Sequence, residues 1–60
     1  MKKKVLVVDD SIFMQKLITR LIEEDEELQV TGTARNGLEA LEAIRRDKPD
    51  VITLDIEMPI

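Results

Sequence analysis

The sequence of 60 residues contains no cysteine and no histidine, and Phe13 is its only aromatic residue. The absence of cysteine excludes disulfides, and without histidine as well the usual structural zinc sites are excluded. Acyl transfer by a catalytic triad that uses cysteine or histidine is excluded for the same reason. A chain this short buries only about 60% of its unfolded surface. Without disulfides or a structural metal to stabilise it, we expect it to associate with another chain.

Long apolar runs and glycine-rich loops are also missing. The basic residues 2–4 precede an apolar run of only four residues, which is too short for a signal peptide or a membrane span, so we expect a solvated lead into a strand and a cytoplasmic protein. No Gly-x-Gly-x-x-Gly or P-loop pattern is present, which argues against a nucleotide-binding enzyme. The net charge of −4, from 9 basic and 13 acidic residues, argues against nucleic-acid binding.

The segments that remain alternate between strand and helix patterns. Residues 5–8 and 51–54 are short, continuously apolar runs, which are typical of strands buried on both faces of a parallel sheet, and the first strand is predicted over residues 4–8. Between them lie a helix capped by Ser11, an alternating strand over residues 28–35, and a helix capped by Asn36 that runs to about Arg46. Asn36-Gly37 could instead form a hairpin turn, but apolar residues at helical spacing follow it.

The first helix is predicted to be amphipathic. Its polar face is predicted to carry Gln15, Lys16, Thr19, Arg20 and Glu23, and its apolar face to carry Ile12, Phe13, Met14, Leu17, Ile18, Leu21 and Ile22. For Met14 a place in the core is favoured over a partner contact. The acidic run 23–27 that follows is predicted to be a solvated connection, because consecutive carboxylates point in different directions and make a poor cation site.

The alternating strand is predicted to place Leu28, Val30, Gly32 and Ala34 on one face, as suits an edge strand with one polar side. The predicted architecture is therefore α/β, in the order β-α-β-α-β. Right-handed crossovers are expected. The third strand is expected beside the first so that the acids at their ends converge, and the alternating second strand on the outer side of the first, which gives the strand order 2-1-3. Asp9 and Asp10 follow the first strand and Asp55 follows the third, so all three are predicted to converge at one edge of the sheet.

Three carboxylates so close repel one another unless a cation lies among them. Oxygen ligands favour Mg²⁺, Mn²⁺ or Ca²⁺, and Mg²⁺ suits a site that combines one or two carboxylates with a phosphate. We expect Asp10 and Asp55 to bind the cation directly and Asp9 to bind it through water. Asp55 could then attack phosphorus and form an acyl phosphate. The alternative is that an aspartate at a strand end serves only the local turn.

Two motifs resemble the receiver domain of two-component response regulators: Val7-Val8-Asp9-Asp10-Ser11 and Leu54-Asp55-Ile56-Glu57-Met58-Pro59. Their separation, and the intervening Asn36-Gly37-Leu38-Glu39-Ala40, are similar to that family as well. Residues 49–59 most resemble the receiver part of chemotaxis protein-glutamate methylesterases.

This resemblance implies a role for each motif residue. Asp55 is implied to be the phosphoacceptor, which takes a phosphoryl group from a histidine kinase or a small phosphodonor. The acidic metal pair is Asp9 and Asp10, the backbone carbonyl of Glu57 is a further Mg²⁺ ligand, and Pro59 is the proline that follows the phosphoacceptor loop. The implied protein is a signalling module and not an enzyme.

A complete receiver resembles flavodoxin, with five strands and five helices, and residues 1–60 match only its N-terminal half, with no second domain. The family's fourth-strand Ser/Thr, fifth-strand Lys and switch aromatic have no counterpart here. In the family the lysine and the hydroxyl contact the phosphoryl group and couple it to the conformational switch, so without them we expect phosphoryl transfer and switching to be impaired. The alternative is a self-associating half-fold, excised or designed, with no signalling activity. In either case the open edge of the third strand predicts a homodimer or a higher oligomer.

Overall fold

The computed structural model describes residues 1–55, the last of them through its backbone only. Its elements are β1 (Lys3–Asp9), α1 (Ile12–Glu23), β2 (Leu28–Ala34), α2 (Gly37–Arg46) and β3 (Val51–Asp55). The three strands form one parallel sheet in the order β2-β1-β3. The predicted α/β architecture and strand order are therefore confirmed. Neither described helix has the length and apolar character needed to cross a membrane.

The centre of the sheet is β1, and the residues from Val5 to Val8 are at most 2% exposed. Leu6 and Val8 form one cluster with Ala34 of β2 and Ala40 of α2, against which Ala43 and Ile44 pack. Right-handed crossovers from β1 to β2 and from β2 to β3 place the two helices on opposite faces of the sheet, so α1 covers the other face of β1. A continuous apolar run is what a strand covered on both sides requires.

The prediction that β2 alternates regularly was wrong. Val5 pairs with Val30, but the next residue of β1, Leu6, pairs with Gly32, so β2 carries one extra residue at this point. Because side chains alternate between the two faces of a strand, the extra residue places the later side chains of β2 on the face opposite to the one that regular alternation would give. Val30 therefore shares the face of Val5, while Gly32 shares the face of Leu6. A Cβ at Gly32 would lie 3.4 Å from Leu6 Cδ1, in van der Waals contact with it, which agrees with the two residues sharing one face.

Helix α1 meets the sheet differently from the prediction. Gln15, predicted on the polar face, is buried at 7% exposure. Phe13, Leu17 and Leu21, predicted to face the core, are 74%, 41% and 58% exposed, respectively. Met14 is half-buried. The apolar face of α1 is wider than the strip that a sheet of three strands can cover, so part of it is left outside.

Both predicted helix caps are confirmed. Ser11 Oγ accepts a hydrogen bond from Met14 N at 3.3 Å, and Asn36 Oδ1 accepts one from Glu39 N at 2.9 Å. These side chains replace the partners that the first backbone N–H groups of a helix lack. In α2 the carboxylate of Glu39 also accepts from Arg35 N at 3.0 Å, which ties the end of β2 to the helix start.

Strand β3 has less cover than β1. Within the described residues it pairs with β1 alone, and neither helix packs against it. Val51, Ile52 and Leu54 are consequently 43%, 46% and 69% exposed. Its outer edge therefore presents apolar side chains and backbone groups without a described strand partner.

The opposite ends of the strands, where β1 and β3 begin, are held together by polar contacts of Lys4. Its Nζ lies 2.7 Å from Asp47 Oδ1, and its backbone N–H donates to Asp50 Oδ2 at 2.8 Å. Asp50 N donates in return to the Lys4 carbonyl at 2.8 Å. The hydrogen bond and the charge of Asp47 raise the pKa of Lys4 above its usual 10.5, and Asp50 adds to the effect.

The raised pKa of Lys4 makes this end of the fold sensitive to high pH. A folded-state pKa above the unfolded one means that the contribution is fully present below 10.5 and is lost as the pH rises through the folded-state value. We expect the urea midpoint of the unaltered chain to decrease as the pH rises above that value. The midpoint of Asp47→Asn should decrease less, because this variant lacks the ion pair. Lys3→Met is the matched control, because Lys3 makes no ion pair in the described part of the chain. Parallel pH profiles for the unaltered chain and Asp47→Asn would contradict the prediction.

Candidate functional site

The carboxyl ends of β1 and β3 lie side by side. Asp9 is the register partner of Asp55, so the two backbones are one strand spacing apart, about 4.8 Å. Because the strands are parallel, both chains leave the sheet at the same edge. The predicted meeting of the two strand ends is confirmed by this register.

Asp9 is a buried carboxylate at 2% exposure. Its Oδ1 accepts a hydrogen bond from Ser11 N at 2.9 Å. Its Oδ2 is also buried, and among the described residues it has no hydrogen-bond partner. A buried acceptor without a partner costs about 1–3 kcal/mol, and more when it is charged. This oxygen is therefore suited to a cation, or to a donor group that a ligand brings.

The other predicted site residues differ in what the structure describes. Asp10 is the first residue after β1, and its side chain is exposed at the same edge of the sheet. Asp55 is placed through its backbone, and Glu57 and Pro59 lie outside the described residues. Among the residues that the structure describes, no three carboxylate, histidine or cysteine groups form a cluster that could hold a metal ion.

Helix α1 begins directly behind this pair of acids. Ser11 joins the two structures, because its N–H donates to Asp9 Oδ1 while its side chain caps the helix. The N-terminus of a helix carries a partial positive charge, which is favourable beside carboxylates. The local turn and the helix dipole thus offset part of the repulsion between the acids.

Gln15 is the residue of this region that sequence reasoning missed. Its Nε2 donates to the backbone carbonyl of Asp9 at 2.7 Å and to that of Ala34 at 3.1 Å. These carbonyls belong to the ends of β1 and β2. The spacing did not single it out, because residue 15 lies three and seven positions before Ile18 and Ile22, whose half-burial is known only from the structure. A polar residue on that strip has strand-end carbonyls within reach.

The donor set defines the chemistry that this edge can support. A buried oxygen of Asp9 and the exposed carboxylate of Asp10 are hard ligands, and the chain has no histidine or cysteine to attract softer metals. The residues present therefore fit a magnesium ion, which binds one or two carboxylates and keeps coordination positions for water and phosphate.

Comparison with known proteins gives a family match along almost the whole chain. The family model for "Response regulator receiver domain" matches residues 5–60. Protein-glutamate methylesterase/protein-glutamine glutaminase 1 of Syntrophomonas wolfei is 59% identical over 59 residues, which are 98% of this chain and 17% of the relative. The corresponding Bacillus subtilis protein is 60% identical over 57 residues, or 95% of this chain and 16% of the relative. The chain thus spans about a sixth of these relatives.

A solved structure is similar as well. The response regulator domain of Thermotoga maritima CheB superposes with a TM-score of 0.89 at 49% sequence identity. The match covers 98% of this chain and 44% of the solved one. The similarity therefore extends from the motifs to the arrangement of strands and helices.

The buried carboxylate of Asp9 leads to a test of stability. Without divalent cations we expect Asp9→Asn to raise the free energy of unfolding by about 1 kcal/mol, because it removes one charge from a group of acids. With saturating Mg²⁺ we expect the unaltered chain to be the more stable of the two. An ion that binds only the folded state stabilises it, and Asp9→Asn should bind that ion more weakly. Urea unfolding in EDTA and in Mg²⁺ measures both. Glu26→Gln changes an exposed acid and is the control: its stability should match that of the unaltered chain in both EDTA and Mg²⁺. An Asp9→Asn chain that is less stable than the unaltered chain in EDTA would contradict the prediction.

Proposed function

Because the chain belongs to the response regulator receiver domain family, we propose that it is a phosphoacceptor module of a two-component system in which Asp55 accepts the phosphoryl group. A receiver domain is a signalling module and not an enzyme. The observation that carries the proposal is the register of Asp55 with Asp9, whose buried Oδ2 has no partner among the described residues.

We propose Mg²⁺ as the cation, with Mn²⁺ as a substitute of similar chemistry. Asp10 and Asp55 would hold it directly, Asp9 through water, and the backbone carbonyl of Glu57 would be a further ligand. When bound, the ion neutralises charge on the carboxylates and on the phosphoryl oxygens. The fit rests on the all-oxygen donor set and on Asp9 Oδ2, which has no hydrogen-bond partner in the described part of the chain.

The reaction we propose at Asp55 is a phosphoryl transfer. A carboxylate oxygen of Asp55 forms a bond to phosphorus while the bond from phosphorus to the donor's leaving atom breaks. With a histidine kinase the leaving atom is an imidazole nitrogen, which takes up a proton; with acetyl phosphate it is an acetate oxygen. Asp9 and Ser11 keep the neighbouring strand end in place during this exchange, through the hydrogen bond between Ser11 N and Asp9 Oδ1.

The setting of this module is proposed from its relatives. The relatives are named as methylesterases and glutaminases, and the chain matches about a sixth of their length. We propose that the chain corresponds to the N-terminal half of the receiver part of such a protein. Its signalling context would be chemotaxis, its phosphodonor a histidine kinase, and its location the cytoplasm, without nucleic-acid or membrane partners.

A second candidate function is self-association, in which two copies meet through β3. The favouring observation is that, within residues 1–55, neither helix packs against β3 and its apolar side chains are exposed. Pairing of two edges would satisfy the backbone groups of the outer side. This function is compatible with the first, because phosphoacceptor chemistry belongs to the strand ends and association to the strand edge.

Phosphorylation of Asp55 can be tested directly. With acetyl phosphate and Mg²⁺ we expect the chain to gain the mass of one phosphoryl group, and Asp55→Asn to gain none, because the nucleophilic oxygen is replaced by an amide. Intact-mass spectrometry at acid pH, where acyl phosphates survive, gives the readout. Asp50→Asn is the matched control, since Asp50 is an exposed acid just before the same strand. Equal labelling of Asp55→Asn would show that the proposed acceptor is wrong.

Association through β3 predicts a dependence on the exposed side chain of Leu54. Leu54→Lys should leave the core intact, because this residue is 69% exposed. It should weaken association by about tenfold or more, since a charge would then enter an apolar interface. Sedimentation equilibrium over a range of concentrations measures the change. Gln29→Lys, on the opposite edge strand β2, is the control. A monodisperse monomer at every concentration would remove the hypothesis.

A further inference from the structure

Gln15 connects the two strand ends that border the candidate site. Its side chain is 7% exposed, and both N–H groups of its amide are used, one on the carbonyl of Asp9 and one on the carbonyl of Ala34. The two carbonyls lie at the ends of neighbouring strands, β1 and β2. Gln15 therefore ties the first turns of α1 to two strands through one nitrogen atom.

The bond to Asp9 acts on the peptide group that joins Asp9, the last residue of β1, to Asp10. The carbonyl of Asp9 and the N–H of Asp10 belong to the same planar unit, so the direction of one sets the direction of the other. The side chain of Asp9 is held as well, through Ser11 N at 2.9 Å. With both contacts in place, the backbone has little freedom at the point where Asp9 and Asp10 diverge.

We propose that Gln15 is a positioning residue for the cation: its amide sets the backbone between Asp9 and Asp10 and so the placement of both carboxylates. The inference rests on the magnesium site of the proposed function and adds a residue to it that touches no cation. The role requires two N–H donors on a side chain of this length. Methionine has the length without donors, asparagine has the donors without the length, and arginine carries N–H donors at and beyond this length.

The first test needs no metal. In the metal-free chain we expect Gln15→Met to shift the ¹⁵N and ¹H resonances of the Asp10 and Arg35 amides, because these are the N–H groups of the two peptide units whose carbonyls Gln15 contacts. We expect Gln15→Arg to restore them in large part. Ile44→Val is the matched control, because it trims the core cluster on α2 without touching either carbonyl.

The second test is the Mg²⁺ affinity of the folded chain, followed by the same amide resonances. Partners that orient a metal ligand typically contribute about 10- to 100-fold in affinity. Gln15 acts through the backbone, so we expect Gln15→Met to bind about tenfold more weakly, Gln15→Arg to recover most of the loss, and Ile44→Val to match the unaltered chain. If Gln15→Met does not fold, Gln15→Asn takes its place with the same expectation.

The outcomes separate this inference from the function on which it rests. An unaltered chain that binds no Mg²⁺ overturns the proposed metal site and the inference together. An unaltered chain that binds Mg²⁺, with Gln15→Met binding equally well, overturns the inference alone. A loss of affinity that Ile44→Val shares to the same extent also overturns it, because the effect would then follow stability and not the position of the acids.

Discussion

The parallel pairing of β1 with a strand on each side is the constraint on which the rest of the structure depends. Both neighbouring strands pair with β1, and both helices pack against it. Its residues from Val5 to Val8 are almost completely buried, so a slip by one residue would move each side chain to the opposite face. The same register places Asp9 beside Asp55. Core packing and site geometry are therefore fixed by one set of hydrogen bonds.

The elements and their order could be predicted because each has a local cause. Ser11 and Asn36 are side chains that cap helices, and the apolar run of β1 requires cover on both faces. The polar face of β2 indicates an edge strand, which leaves β1 in the centre with β3 on its other side. The edge of the sheet at which the acids meet follows without any side-chain detail. The carboxylate geometry does not follow, because it depends on rotamers and on the chain after Asp55.

The bulge in β2 and the orientation of α1 could not be predicted, because each depends on contacts between elements. Polarity along a helix shows which residues are apolar, but α1 has more apolar residues than the sheet can cover. The line of contact is set by the position of the helix across β1 and β2. That position buries Gln15 and leaves Phe13 at the surface. The bulge between Val30 and Gly32 likewise cannot be inferred from the sequence, because the residues around it are small or β-branched and give no signal of an irregular register.

The exception to simple patterning at Gln15 has the same cause as the unsatisfied oxygen of Asp9. Asp9 and Ala34 end two neighbouring strands beneath the start of α1, and both residues are buried, so their polar groups have little access to water. The carbonyls of Asp9 and Ala34 obtain a donor from Gln15. The Oδ2 atom of Asp9 obtains none among the described residues. Because local rules are broken mainly where function requires it, the group left without a partner is the one to which a ligand would contribute most. A cation bound beside Asp9 Oδ2 would offset the cost of burying this oxygen, and it would then couple occupancy of the site to the stability of the central strand.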